Sequence, residues 1–195
     1  MFRQVVLLIL ISAAMNCLAE TLIFSCKSCH GHEFEGRAAI RAPALAGQPA
    51  IYLEYQLKLY RDGLRGAGFS DKYGQQMALM ASNLSDDHIS MLASEISKLH
   101  PVMSEVEPIE DSRYATCATC HGIRGEGNKD MQAPYLAGLD ADYLEVQMEH
   151  FRDKVRGYDA RDQNGRLMAE SMPPEFTNED IRALARLLSS ADGFQ

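Results

Sequence analysis

The sequence predicts an all-α protein made of two tandem copies of one domain. Three observations carry that reading. A fixed offset of 91 residues maps one half of the chain onto the other, from Cys26 and Cys117 to Arg65-Gly66 and Arg156-Gly157. Similarity sustained at one offset means two copies of one folding unit. Apolar residues recur at i, i+3, i+4 and i+7 in both halves, the spacing of a helix face. No stretch of useful length alternates apolar and polar residues as a half-buried strand does.

The chain opens on a leader rather than on the fold. Met1-Phe2-Arg3 is a charged start, Val5 to Ala14 is an apolar run, and Cys17-Leu18-Ala19 is a small-residue cleavage site. This pattern reads as an export signal, residues 1–19, cut after Ala19. The apolar run is short for a bilayer span. A lipid anchor on Cys17 is the alternative, but Ala14-Met15-Asn16 is a poor lipobox. The exported protein is expected to be soluble, with residues 20–104 and 105–195 as its two domains. The join lies near Pro101 to Pro108, an acidic stretch with two prolines.

Each half follows one plan. A short helix carries Cys26 to His30, and its counterpart carries Cys117 to His121, with Asp111-Ser112 as a cap. A glycine-bearing loop runs on to Pro43 or Pro134. A middle helix starts near Pro49 in the first half and at the N-cap Asp140 in the second. Tyr52, Leu53, Gln56 and Tyr60 form its stripe, matched by Tyr143, Leu144, Gln147 and Phe151; the stripe is expected to pack on the core. A polar, glycine-containing loop leads to the methionines. The last helix opens at Ser85-Asp86-Asp87 or at Thr177-Asn178-Glu179-Asp180. Its apolar face is Ile89, Leu92, Ala93 and Ile96, repeated as Ile181, Leu184, Ala185 and Leu188 at an offset of 92. One residue has been gained on the way.

The chemistry lies in Cys26-Lys27-Ser28-Cys29-His30-Gly31 and Cys117-Ala118-Thr119-Cys120-His121-Gly122. The spacing C-x-x-C-H is that of a c-type haem attachment site. Two thiols one helical turn apart can add to the two vinyl groups of one haem, and the next His can then ligate the iron. Once Cys17 leaves with the leader, no thiol is left over. Two disulfides or one four-cysteine zinc site would account for the thiols. Neither explains the His in each copy or the repeated flanks. Two haem c groups are therefore expected, each forming part of a modest core.

A second axial ligand is expected from methionine. Met77 and Met168 share the offset of the haem sites and are preferred. Met80 and Met172 differ by 92 and are the alternative pair. His32, His88, His100 and His150 are read as surface or partly buried residues rather than ligands.

The full chain carries a net charge of −8. Nearly all of the imbalance falls in residues 105–195, with 18 acidic and 10 basic side chains, against 9 and 8 in residues 20–104. Such a chain is a poor nucleic-acid binder. The asymmetry suits orientation toward a positively charged partner, or simple solubility.

With these motifs in place, the chain resembles the dihaem class I cytochromes c of the cytochrome c4 family. The resemblance rests on the doubled Cys-x-x-Cys-His-Gly, on Ala42-Pro43-Ala44-Leu45-Ala46-Gly47 with its copy from Ala133, on Tyr-Leu-x-x-Gln, and on Met77-x-x-Met80-Ala81 before Leu84-Ser85-Asp86. It implies two tandem class I cytochrome c domains, each wrapping one covalently bound haem with His/Met ligation. It also implies that the carbonyls of Pro43 and Pro134 accept the ring N–H of the proximal histidines. A periplasmic electron carrier is expected, passing electrons from a membrane quinol-oxidising complex or another dehydrogenase to a terminal oxidase, with only peripheral contact with membrane complexes. Two departures from the family pattern stand out: a short first helix, and the one-residue shift at the second methionine region. The alternatives are an electron-accepting subunit of a flavocytochrome-type dehydrogenase, and a dihaem peroxidase or thiosulfate-oxidising enzyme. The last needs an open or unusually ligated iron, whereas both halves offer Met.

Overall fold

A computed structural model of the chain describes residues 20–99 and 107–191. The leader, the join around residues 100–106 and His100 lie outside the described residues. Among the described residues the structure is helical apart from two isolated bridges, Arg37–Ala42 and Asn128–Ala133, which are themselves 91 residues apart. The first half contains α1 (20–30), α2 (Ala50–Arg61), α3 (Lys72–Ala81) and α4 (Asp86–Lys98). The second contains α5 (Ala115–His121), α6 (Ala141–Arg152), α7 (Gln163–Ser171) and α8 (Asn178–Ser190).

The ends of these helices follow from local chemistry. Ser85 accepts from the His88 N–H while the His88 ring accepts from the Ser85 N–H, a reciprocal cap. Thr177 and Asp180 do the same for α8. Asp140 caps α6 through the Tyr143 N–H. Asp111 caps a short 3-10 turn, Ser112–Tyr114, that feeds into α5.

The polar, glycine-containing loops run as far as Asp71 and Asp162, and the segments beyond them that carry the methionines are helical. Asp71 and Asp162, 91 apart, accept from the N–H groups of Gly74 and Gly165, each at 2.8 Å, and start α3 and α7. Met77, Met80 and Met168 therefore sit on helices, and Met172 terminates one. The offset remains 91 through both caps and Met168. The extra residue lies beyond Met168, before the cap Thr177.

Helix α2 packs on α4 and α3, and α6 on α8 and α7. The second core gathers Tyr114, Leu139, Leu144, Met148, Phe151 and the inner face of α8. The first gathers Phe34, Ala46, Leu53, Ala93 and Ile96. Each half holds one deeply buried ring near its motif, but from different positions. Phe34 has Gly125 as its counterpart, and Tyr114 has Ile23. The expected stripe of α2 is divided: Leu53 enters the core, whereas Gln56 and Tyr60 face the other half through two arginines.

The turn after α2 constrains the chain tightly. Gly66 has φ of +75°, and a methyl there would overlap the carbonyl of Gly74; Gly157 repeats the arrangement against Gly165. Gly63, at φ +68°, has open space around it. Gly66→Ala is therefore expected to cost about 2–5 kcal/mol, from a left-handed backbone plus overpacking. Gly63→Ala should cost only the backbone part, about 1–2 kcal/mol. Denaturant unfolding of both variants checks this, and equal losses would contradict it.

Candidate haem centres

Helix α1 presents Cys26, Cys29 and His30, and α5 presents Cys117, Cys120 and His121. All four thiols are free of disulfides. Burial raises the thiols of Cys26 and Cys117 above their ordinary range. Glycine follows each His with positive φ, +93° at Gly31 and +80° at Gly122, and turns the chain away. Glu35 and Glu126 close that turn by accepting from the N–H groups of Glu33 and Arg124.

Both histidines are buried, 5% and 6% exposed. The His30 Nδ1–H donates to the Pro43 carbonyl at 2.8 Å, and the His121 Nδ1–H donates to the Pro134 carbonyl at 3.0 Å. A carbonyl only accepts, so this bond fixes the tautomer and leaves Nε2 with its lone pair free. Burial lowers both imidazole pKa values, with the carbonyl acting in the opposite direction, so the rings are held neutral. A neutral imidazole with a free Nε2 is what an iron needs.

The methionines occupy different settings. Met77 and Met168 are half-buried at equivalent turns of α3 and α7, and Met168 packs against the second core. Met80 is 54% exposed. Met172 is buried in the core with Leu184 and Leu188. The two members of the alternative pair therefore differ in burial. Of the other histidines, His32 is exposed against Glu33, His88 caps α4, and His150 lies between the domains.

That interface was not legible as such in the sequence. Arg65 and Arg156 are almost fully buried there. Gln56 Oε1 accepts from Arg65 at 2.6 Å and, across the interface, from Arg156 at 2.9 Å. Gln147 Oε1 accepts from Arg156 at 2.7 Å and from Arg65 at 2.8 Å. Each guanidinium stacks on a ring of its own half, Tyr60 or Phe151, both at 4.4 Å. Burial alone would raise the Tyr52 hydroxyl, but the adjoining Arg156 and Arg65 charges outweigh it and lower its pKa. The Nε of each arginine is buried without a partner. Elsewhere Tyr55 donates to Asp162 at 3.0 Å, and Gln48 pairs with the backbone of Tyr135. The repeated Gln56/Gln147 and Arg65/Arg156 were the signal for this network; the sequence does not show that the pairs cross.

The donor set fits a covalently held iron porphyrin. Each site offers two free thiols one helical turn apart and a neutral His with Nε2 available. Two buried cations with a spare donor each suit the carboxylates that a haem carries. When bound, the haem supplies a one-electron iron couple. The four thiols would attach it, and the proline carbonyls would hold the imidazoles toward its iron.

Comparison with known proteins agrees. The profile of the cytochrome c family matches residues 19–99 and again 112–192, so the chain belongs to the cytochrome c family, with two tandem domains. It is 28% identical to cytochrome c4 of Azotobacter vinelandii over 82% of this chain and 81% of that one. It is 32% identical to a thiosulfate dehydrogenase electron acceptor of Thiomonas intermedia, over 69% and 66% of the two chains. The crystal structure of reduced cytochrome c4 from Pseudomonas stutzeri matches with a TM-score of 0.64 at 25% identity, covering 91% of this chain and 98% of that one. The protein is accordingly a dihaem electron carrier with two covalently bound haem c groups, not an enzyme.

His150 yields a pH prediction. Its Nδ1 lies 3.9 Å from Asp71 of the other half. Burial lowers its pKa; Asp71 pulls the other way, and Arg156 and Arg65 reinforce the lowering. The folded protein thus takes up this proton less readily than the unfolded chain, whose His titrates near 6.5. The stabilisation is present above about pH 6.5 and is lost as the pH falls through the lowered folded value. Unfolding of His150→Gln should show a shallower loss of stability than wild type between about pH 7 and 5. Identical slopes would contradict it.

Proposed function

We propose that the protein is a periplasmic electron shuttle in which His30 with Met77, and His121 with Met168, are the axial ligands of the two irons, and Cys26, Cys29, Cys117 and Cys120 the attachment points. One observation carries this reading. Each half holds a buried, tautomer-locked histidine and a half-buried methionine, and both pairs keep the same 91-residue offset. Thioether ligation favours the ferrous state and raises the potential, which suits a carrier feeding a terminal oxidase.

The leader supports export, and among the described residues no helix is long and apolar enough to cross a membrane. A dehydrogenase is the donor this reading favours, because one similar protein is named as the electron acceptor of thiosulfate dehydrogenase. The domains are taken as 20–104 and 105–195.

Met77→Ala and Met168→Ala should each abolish the near-infrared sulfur-to-iron band of one haem. Each should also move that haem's reduction equilibrium more than tenfold toward the ferric state, a drop of more than ~59 mV for a one-electron couple. Met80→Ala should leave both haems unchanged. Spectroscopic redox titration decides it; losses confined to Met80→Ala and Met172→Ala would reverse the assignment.

A further inference from the structure

Among the contacts that break the 91-residue repeat, one leads directly to a proximal histidine. Gln48, 3% exposed, follows Gly47, whose N–H donates to Ile96 O at the end of α4. The side chain is thereby anchored in the first domain. Its Nε2 donates to Tyr135 O at 3.1 Å, and its Oε1 accepts from Tyr135 N–H at 3.1 Å. The pair is reciprocal, so flipping the amide would oppose donor to donor and acceptor to acceptor; the orientation is fixed.

Tyr135 N belongs to the same peptide unit as the Pro134 carbonyl. That carbonyl accepts the His121 ring N–H at 3.0 Å. A single peptide therefore lies between the side chain of one domain and the proximal histidine of the other. Donating the N–H at one end of an amide draws electron density toward the oxygen at the other, and hydrogen bonds in series strengthen one another by about 10–30% each. A stronger bond at Nδ1 gives the imidazole more anionic character and favours the ferric iron.

The first domain lacks this relay. The counterpart of Gln48 is Leu139 and that of Tyr135 is Ala44, and these two share one apolar cluster. Leucine has no oxygen to accept the Ala44 N–H.

We propose that Gln48 is a positioning residue that acts across the domain interface, through the Pro134–Tyr135 peptide, to lower the reduction potential of the haem attached to Cys117 and Cys120 and of that haem alone. The proposal rests on His121 being the proximal ligand. It makes two similar haem sites inequivalent without changing any ligand, and it ties that inequivalence to the closed interface.

The test uses the holoprotein with Gln48→Met, close in volume but unable to make either bond, and Tyr55→Phe, which removes a different interdomain bond to Asp162. Proton NMR follows the His121 ring N–H and the haem methyl signals of each domain through a redox titration. Gln48→Met is expected to move the His121 Nδ1–H signal upfield and to raise the second haem's potential, with the first haem fixed. Tyr55→Phe should change neither. No shift in Gln48→Met, an equal shift in both haems, or the same shift in Tyr55→Phe would overturn the proposal. Absence of hyperfine-shifted His121 ring signals in the wild type would instead refute His121 ligation itself.

Discussion

The interaction on which the two-domain structure depends is the crossed pairing of Arg65 and Arg156 with Gln147 and Gln56. Each glutamine oxygen takes one guanidinium from its own half and one from the other. Two like charges are thereby held out of water in one place. Hydrogen bonds to charged groups contribute about 1.5–3 kcal/mol each, and an unpaired buried charge costs more than that. The arrangement persists because the amide oxygens, the rings of Tyr60 and Phe151, and the lowered hydroxyl of Tyr52 surround the cations. The same excess of positive charge suits an anionic cofactor held in each half.

Around that centre the halves are nearly, not fully, equivalent. His30 and His121 are held alike by proline carbonyls, and Met77 and Met168 sit at matching turns. The contacts that flank the arginines differ. Tyr55 meets Asp162, whereas His150 meets Asp71; Gln48 meets Tyr135, whereas Leu139 lies among apolar neighbours. A carrier with two similar haems gains direction when their potentials differ, and these asymmetric neighbours are where a difference can arise.

Much of this was legible in the sequence. The offset of 91, the caps at Ser85 and Thr177, and both haem motifs led to the all-helical repeat directly. Helices α3 and α7 did not show themselves because each is short and carries a glycine, Gly74 or Gly165, where an apolar stripe would be read. Their caps, Asp71 and Asp162, were the overlooked signal. The interface was invisible for a different reason. A repeat fixes which residues are equivalent but not which face of one copy meets the other, so Gln56 and Arg65 read as part of a stripe and a turn. The position of the extra residue, after Met168, likewise needed the two helix caps to be placed in space.

The central claim is that crossed Arg–Gln pairs join the two haem domains into one unit. A double-mutant cycle on Arg65→Met and Gln147→Leu, measured by denaturant unfolding of the holoprotein, tests it most directly, because only the cross-domain bond is common to both changes. The account predicts a coupling energy of about 1 kcal/mol or more, as for a hydrogen bond to a charged group. Additive effects, with coupling below about 0.3 kcal/mol, would contradict it.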